Sequence, residues 1–173
     1  MTTGLPAGCP RVAVTGHRDL TERTARLVSS AIHETLAPYG PDLVGVSCLA
    51  PGADQIFARA VLGLGGRLHV VVAASGYRAS LPPDARRAYD ALLSRAERVD
   101  TLPFDLPVPA SYAAANELML RGADRLIAVW DGRPARGRGG TAEAVEEARR
   151  RAIRVEVMWP RGALRRAAAG APR

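Results

Sequence analysis

The chain has 173 residues, 47% of them apolar and only 5% aromatic, and its 24 basic residues against 17 acidic ones give a formal net charge of +7. That length suits one domain with a sizeable core, and Cys9 and Cys48, with no Cys-x-x-Cys or Cys/His cluster around them, exclude a disulfide framework and a metal site of that kind. The start lacks a charged segment followed by an apolar one, and no apolar run approaches a membrane span, so a cytoplasmic protein with no membrane partner is expected.

The charge is uneven: residues 1–130 carry 13 Arg against 12 acids, and residues 131–173 carry 11 Arg against 5. None of the basic residues is Lys. An all-Arg, Ala-rich chain reflects a GC-rich genome as readily as a nucleic-acid surface, so charge alone assigns no partner.

In chain order, residues 1–10 are small, polar and expected to be disordered. Arg11 to Thr15 reads as a buried strand that breaks at Gly16-His17-Arg18. A helix follows, with Asp19 or Thr21 as cap and Leu27, Val28, Ala31, Ile32, Thr35 and Leu36 on one face, stopped by Pro38 and Gly40. Leu43 to Ser47 is a second strand, running into Pro51-Gly52-Ala53-Asp54 and a helical stripe from Ile56 to Leu64. The third strand, Leu68 to Ala73, encloses His69, which reads as a partnered structural residue.

Pro82-Pro83-Asp84 opens another helix. Val99 to Leu102 reads as a short strand, and Pro103 to Pro109 as a loop. Ser111 to Arg121 is an Ala-rich helix carrying Asn116 and closed by Gly122. The apolar run Leu126 to Trp130 then delivers Asp131-Gly132, an arginine-rich loop, and Gly139-Gly140-Thr141 at the start of a helix reaching Ala152. Val155 to Trp159 is the last strand, and residues 161–173 read as a basic, flexible tail.

Short apolar strands alternating with helices predict a single-domain, Rossmann-like α/β fold over residues 11–160. The expected sheet is doubly wound and mostly parallel, with about six strands and helices on both faces. Val12, Val14, Val44, Val46, Val70, Val72, Ile127, Val129 and Val155 are then expected in the core.

Ligands of such sheets bind over the carboxyl ends of the strands. A strand ending in glycines just before a helix leaves unpaired N–H groups and the positive end of the helix dipole facing that edge, which suits phosphate. Asp131 is placed to accept from a ribose or base, with Arg133, Arg136 and Arg138 in a loop able to close over it. The competing reading is a solvated loop with Thr141 as N-cap. Arg149-Arg150-Arg151 reads as a solvated helix end, with Glu146–Arg150 and Glu147–Arg151 as i,i+4 pairs.

Five motifs in order resemble the SLOG superfamily, the Rossmann-like group that includes DNA-processing protein A and the LOG phosphoribohydrolases. They are Val-Thr-Gly-His-Arg at 14–18, Gly-Ala-Asp at 52–54, Asn116 followed by Met119, Val-Trp-Asp-Gly at 129–132, and Gly-Gly-Thr at 139–141. The resemblance implies that Gly139, Gly140 and Thr141 hold a phosphate, that Gly16, His17, Arg18 and Gly52 line the same cleft, and that Asn116, Asp131 and Gly132 lie on the nucleoside side. Asp54 reads either as a ligand contact or as a helix N-terminal residue, Asn116 either as a ligand contact or as a support for the neighbouring loop, and His17 either as a phosphate donor or as a turn residue. Homodimers are frequent in the superfamily, so a homodimer is an expectation too.

The phosphoribohydrolases resemble one another in a P-G-G-x-G-T-x-x-E pattern, whose Glu serves glycosidic cleavage. Here Ala144 falls at that position and Glu143 one residue early, about 100° away around a helix. An Arg-Lys pair expected on the preceding helix falls at Ala115 and Asn116. A protein that binds a nucleotide, or a derivative such as ADP-ribose, as ligand rather than cofactor is therefore the first reading. An N-glycosidase using Glu143 or Asp131 is the second, and single-stranded DNA binding the third. The third must rely on few aromatics, Tyr77, Tyr112 and Trp130, although base stacking is worth about 1–3 kcal/mol per base.

Overall fold

The structure is a computed structural model and describes residues 9–134 and 139–166. Its strands are β1 (Arg11–Gly16), β2 (Val44–Ser47), β3 (Arg67–Val72), β4 (Arg98–Thr101), β5 (Arg125–Val129) and β6 (Arg154–Met158). Among the described residues the helices are α1 (Glu22–Leu36), α2 (Ala53–Gly63), α3 (Tyr77–Ser80), α4 (Pro83–Leu93), α5 (Pro109–Leu120) and α6 (Thr141–Arg150), with a short 3-10 segment at Ala37–Asp42. All six strands pair in parallel in the order β4-β3-β2-β1-β5-β6. The chain winds outward from β1 to β4 and then returns to place β5 on the other side of β1, so the switch point lies between β1 and β5.

Alternate side chains of each strand feed opposite faces. On one face Val12, Val14, Ile127 and Val129 pack with Val28, Ile32 and Leu36 of α1 and Phe57 and Val61 of α2. On the other, Ala13, Leu126 and Ala128 pack with Ala115 and Met119 of α5 and Val145 and Ala148 of α6. Small residues on that second face let α6 pack over β1 and β5 at the switch point, with α5 beside it over β3. Eight of the nine expected core positions are buried. Val155 is half-buried instead, because β6 is an edge strand with a neighbour on one side only.

Thr21 caps α1, its hydroxyl accepting from the Thr24 N–H at 3.2 Å, which leaves Asp19 for another partner. His69 is partnered as expected: its Nδ1 accepts from Arg11 at 3.0 Å. The segment after β6 departs from a free tail, because residues 161–166 lie against the body. Leu20 and Arg165 form an antiparallel bridge, and the Thr24 hydroxyl donates to the Leu164 carbonyl and accepts from its N–H. No helix among the described residues is long and apolar enough to cross a membrane.

Candidate functional site

A cleft of about 460 Å³ opens over the carboxyl ends of β1, β2 and β5, at the switch point. Its volume falls within the range of about 300–1,000 Å³ usual for small-molecule sites. Of the expected site residues, Gly16, His17, Arg18, Asp54, Asn116, Gly139, Gly140 and Thr141 line it. Gly52, Asp131, Gly132 and Glu143 are not among the lining residues, and Arg136 and Arg138 lie outside the described residues.

Three loops meet here because their backbones are tied together. The His17 N–H donates to the Val129 carbonyl at 3.1 Å, and the Ala53 N–H to the His17 carbonyl at 3.2 Å. A Cβ at Gly16 would stand 2.5 Å from the Ala53 Cβ and 2.9 Å from the Val129 carbonyl, so this glycine lets β1, β5 and α2 close up.

Gly139 has φ +79°, and a Cβ there would stand 2.5 Å from the Cβ of Tyr112 on α5. Its carbonyl accepts from Asn116 Nδ2 at 3.2 Å, so Asn116 holds this loop while also lining the cleft. Its N–H donates to the Glu143 carboxylate. Glu143 therefore braces the loop, while Ala144 is buried.

Helix α6 begins one residue earlier than a Thr141 cap requires. Gly140 is the N-cap, Thr141 the first helical residue, and no side chain caps the helix. The first N–H groups of a helix have no intrahelical partner, and Gly140, Thr141 and Ala142 all border the cleft. The wall thus presents main-chain donors and the positive end of a ten-residue helix.

The opposite side is a charged network that the sequence conceals. Asp131 Oδ1 lies 3.0 Å from His17 Nε2, and the Asp131 N–H lies 3.2 Å from the same nitrogen. Arg165 reaches in from the segment after β6, its Nε 3.0 Å from both oxygens of Asp19 and its Nη1 3.7 Å from Asp131 Oδ2. Burial would raise the Asp131 carboxyl, but the Arg133 N–H, His17 and Arg165 outweigh it and hold the group below its ordinary value. Asp131, expected as a ligand acceptor, is occupied in orienting His17 and Arg165. The arrangement also gives His17 the carboxylate partner that its sequence neighbours do not supply.

At the inner end, Arg18 lies over the Tyr112 ring, 5.3 Å from its centroid. Asp54 is 6% exposed and accepts from the Ala50 N–H at 3.3 Å. Burial raises its pKa to about 6, with Arg18 and hydrogen bonds from Ala50, Cys48 and Ser47 opposing. Burial likewise pushes the Cys48 thiol up, away from the thiolate form. Tyr77, Tyr112 and Trp130, the scarce aromatics, all line the cleft. Sequence reasoning missed Cys48 and Arg165. The first sits just beyond β2 and was open to discovery by its position; the second lies in an Ala/Arg-rich stretch with no periodicity. Among the described residues no cluster of His, Cys, Asp and Glu forms a metal site.

No protein-family model matches the sequence, and no curated protein matches it. Solved structures do match. DNA processing protein A from Streptococcus pneumoniae superposes with a TM-score of 0.63 at 25% identity, over 86% of this chain and 50% of that one. DNA processing protein A from Helicobacter pylori, described for its single-stranded DNA binding mode, gives 0.66 at 19% identity, over 90% and 67%. A molybdenum cofactor binding protein from Rippkaea orientalis gives 0.55 at 14%, over 86% and 75%. The chain spans about half the length of the pneumococcal protein. In sheet order and in the place of its switch-point cleft, the chain has the Rossmann-like α/β fold of these structural neighbours.

Proposed function

We propose that the protein binds a nucleotide or a nucleotide derivative such as ADP-ribose without appreciable turnover, holding its phosphate at the N-terminus of α6. The observation that carries this reading is the uncapped start of α6 at Gly140, which borders a cleft also lined by Arg18 and Arg165. Main-chain donors and a helix dipole suit an anion independently of side chains.

Cleaving an N-glycosidic bond develops positive charge on the ribose and calls for a well-placed carboxylate. A positioned acid or base contributes about 10²- to 10⁴-fold. Glu143 is engaged with the Gly139 N–H, and Asp131 with His17 and Arg165. The two acids that do line the cleft are engaged as well, Asp19 with Arg165 and Asp54 with Ala50.

The test pairs calorimetry with free-base release, across nucleoside monophosphates, ADP-ribose and NAD. Binding without release is the expected result. Release abolished by Glu143→Ala would make the protein a glycosidase, and neither binding nor release, with capture of a single-stranded oligodeoxynucleotide, would favour the role described for the Helicobacter pylori protein.

A further inference from the structure

Tyr77 opens α3, and its side chain is among the largest fully buried ones, 2% exposed. Its ring packs on Tyr89, centroids 5.7 Å apart, and edge-on to Tyr112 at 6.4 Å. Yet its hydroxyl, also buried, has no hydrogen-bond partner among the described residues, and Tyr77 lines the cleft. An unsatisfied buried hydroxyl is destabilising, and native proteins rarely leave one without a reason.

The groups around that hydroxyl define what it awaits. Ala73, Ala115 and Met119 line the same cleft, and Tyr112 carries Arg18 over its face. Asp54 stands nearby and acts electrostatically on the Tyr77 hydroxyl, as does Arg18. Asp54 among the lining residues argues against a second phosphate at this end. Aromatic and aliphatic side chains beside a donor–acceptor hydroxyl, a carboxyl and a guanidinium match a planar nitrogen heterocycle, whose faces are apolar and whose edge alternates donors and acceptors.

We propose that the inner end of the cleft, bounded by Tyr77, Tyr112, Arg18 and Asp54, is the nucleobase subsite, with Tyr77 Oη as its specificity-determining hydrogen-bonding atom. The inference rests on the nucleotide-binding reading and adds an orientation to it: phosphate at α6, base toward α3. Tyr77 is a binding residue that the fold holds ready at a cost to the free protein.

The test is Tyr77→Phe, which keeps the ring and removes only the oxygen. Calorimetry with the four nucleoside 5′-monophosphates, ribose 5-phosphate and inorganic phosphate is run on the wild type and the variant, with thermal melts of both without ligand. The wild type should bind at least one nucleoside monophosphate more tightly than ribose 5-phosphate. The variant should lose about fivefold to tenfold of that affinity, the value of one hydrogen bond, while its affinity for ribose 5-phosphate is unchanged. Without ligand it should melt no lower than the wild type. Equal nucleotide affinity in both proteins, or a lower melting temperature for the variant, overturns the subsite. Ribose 5-phosphate binding as tightly as every nucleotide overturns it too but leaves the phosphate site standing, and no binding of any phosphate ester overturns both.

Discussion

Asp131 Oδ1 stands 3.0 Å from Nε2 of His17, each side chain 10% exposed, although 114 positions separate the two in sequence. The pairing joins the ends of β1 and β5 across the switch point. It also anchors Arg165, which bridges Asp19 and Asp131.

Asp131→Asn should therefore cost about 1–3 kcal/mol near neutral pH, as expected when a charge-assisted partner is removed from a mostly buried site. The folded state depresses the Asp131 carboxyl. Its contribution is present in full above the unfolded value of about 3.9 and is lost as pH falls through the lower folded value. Urea melts at a series of pH values should show the wild type and variant converging below about pH 4; a constant difference would exclude the ion pair as the cause.

Asp54 behaves in the opposite sense. Burial raises its folded pKa to about 6, so between pH 4 and 6 the folded state binds the proton more tightly and stability falls as pH rises. The upper limit is about 3 kcal/mol for a shift of roughly two pH units. Asp54→Asn, which cannot ionise, should remove this decline. The stability difference between the two proteins, measured against pH, should change across that window and flatten above it.

Thr24 secures the segment that carries Arg165. It is fully buried, and its hydroxyl donates to the Leu164 carbonyl at 2.9 Å and accepts from the Leu164 N–H at 2.7 Å. Thr24→Val keeps the shape, leaves the Leu164 N–H unpaired and leaves its carbonyl only the Thr21 N–H at 3.3 Å, a loss of about 1–3 kcal/mol. Hydrogen exchange should quicken at Leu164 and Arg166, whose N–H groups bond to Thr24 and to the Asp19 carbonyl. Unchanged exchange at both would show that the segment is held by other contacts.

The strands were legible because short apolar runs alternate with helical stripes, and glycine or proline follows within a few residues of each run. The helix start at Gly139-Gly140-Thr141 was legible to within one residue, since an N-cap differs from a first helical residue only in its backbone angles. Pairings made by the tertiary fold were not. His17 and Asp131 each sit in an ordinary turn, and Arg165 lies in a stretch whose Ala/Arg composition resembles a solvated tail. Tyr77 belongs to a four-residue helix too short to show periodicity, and its orphaned hydroxyl is a property of the packing around it.

The central claim is the phosphate site at the start of α6. A crystal structure of the protein with a bound nucleoside 5′-monophosphate tests it most directly. Phosphate oxygens at about 2.7–3.2 Å from the N–H groups of Thr141 and Ala142, on the side of the cleft bordered by Gly139 and Gly140, are the expected result. A phosphate seated on the surface arginines outside the cleft, with the N–H groups of α6 untouched, would contradict it.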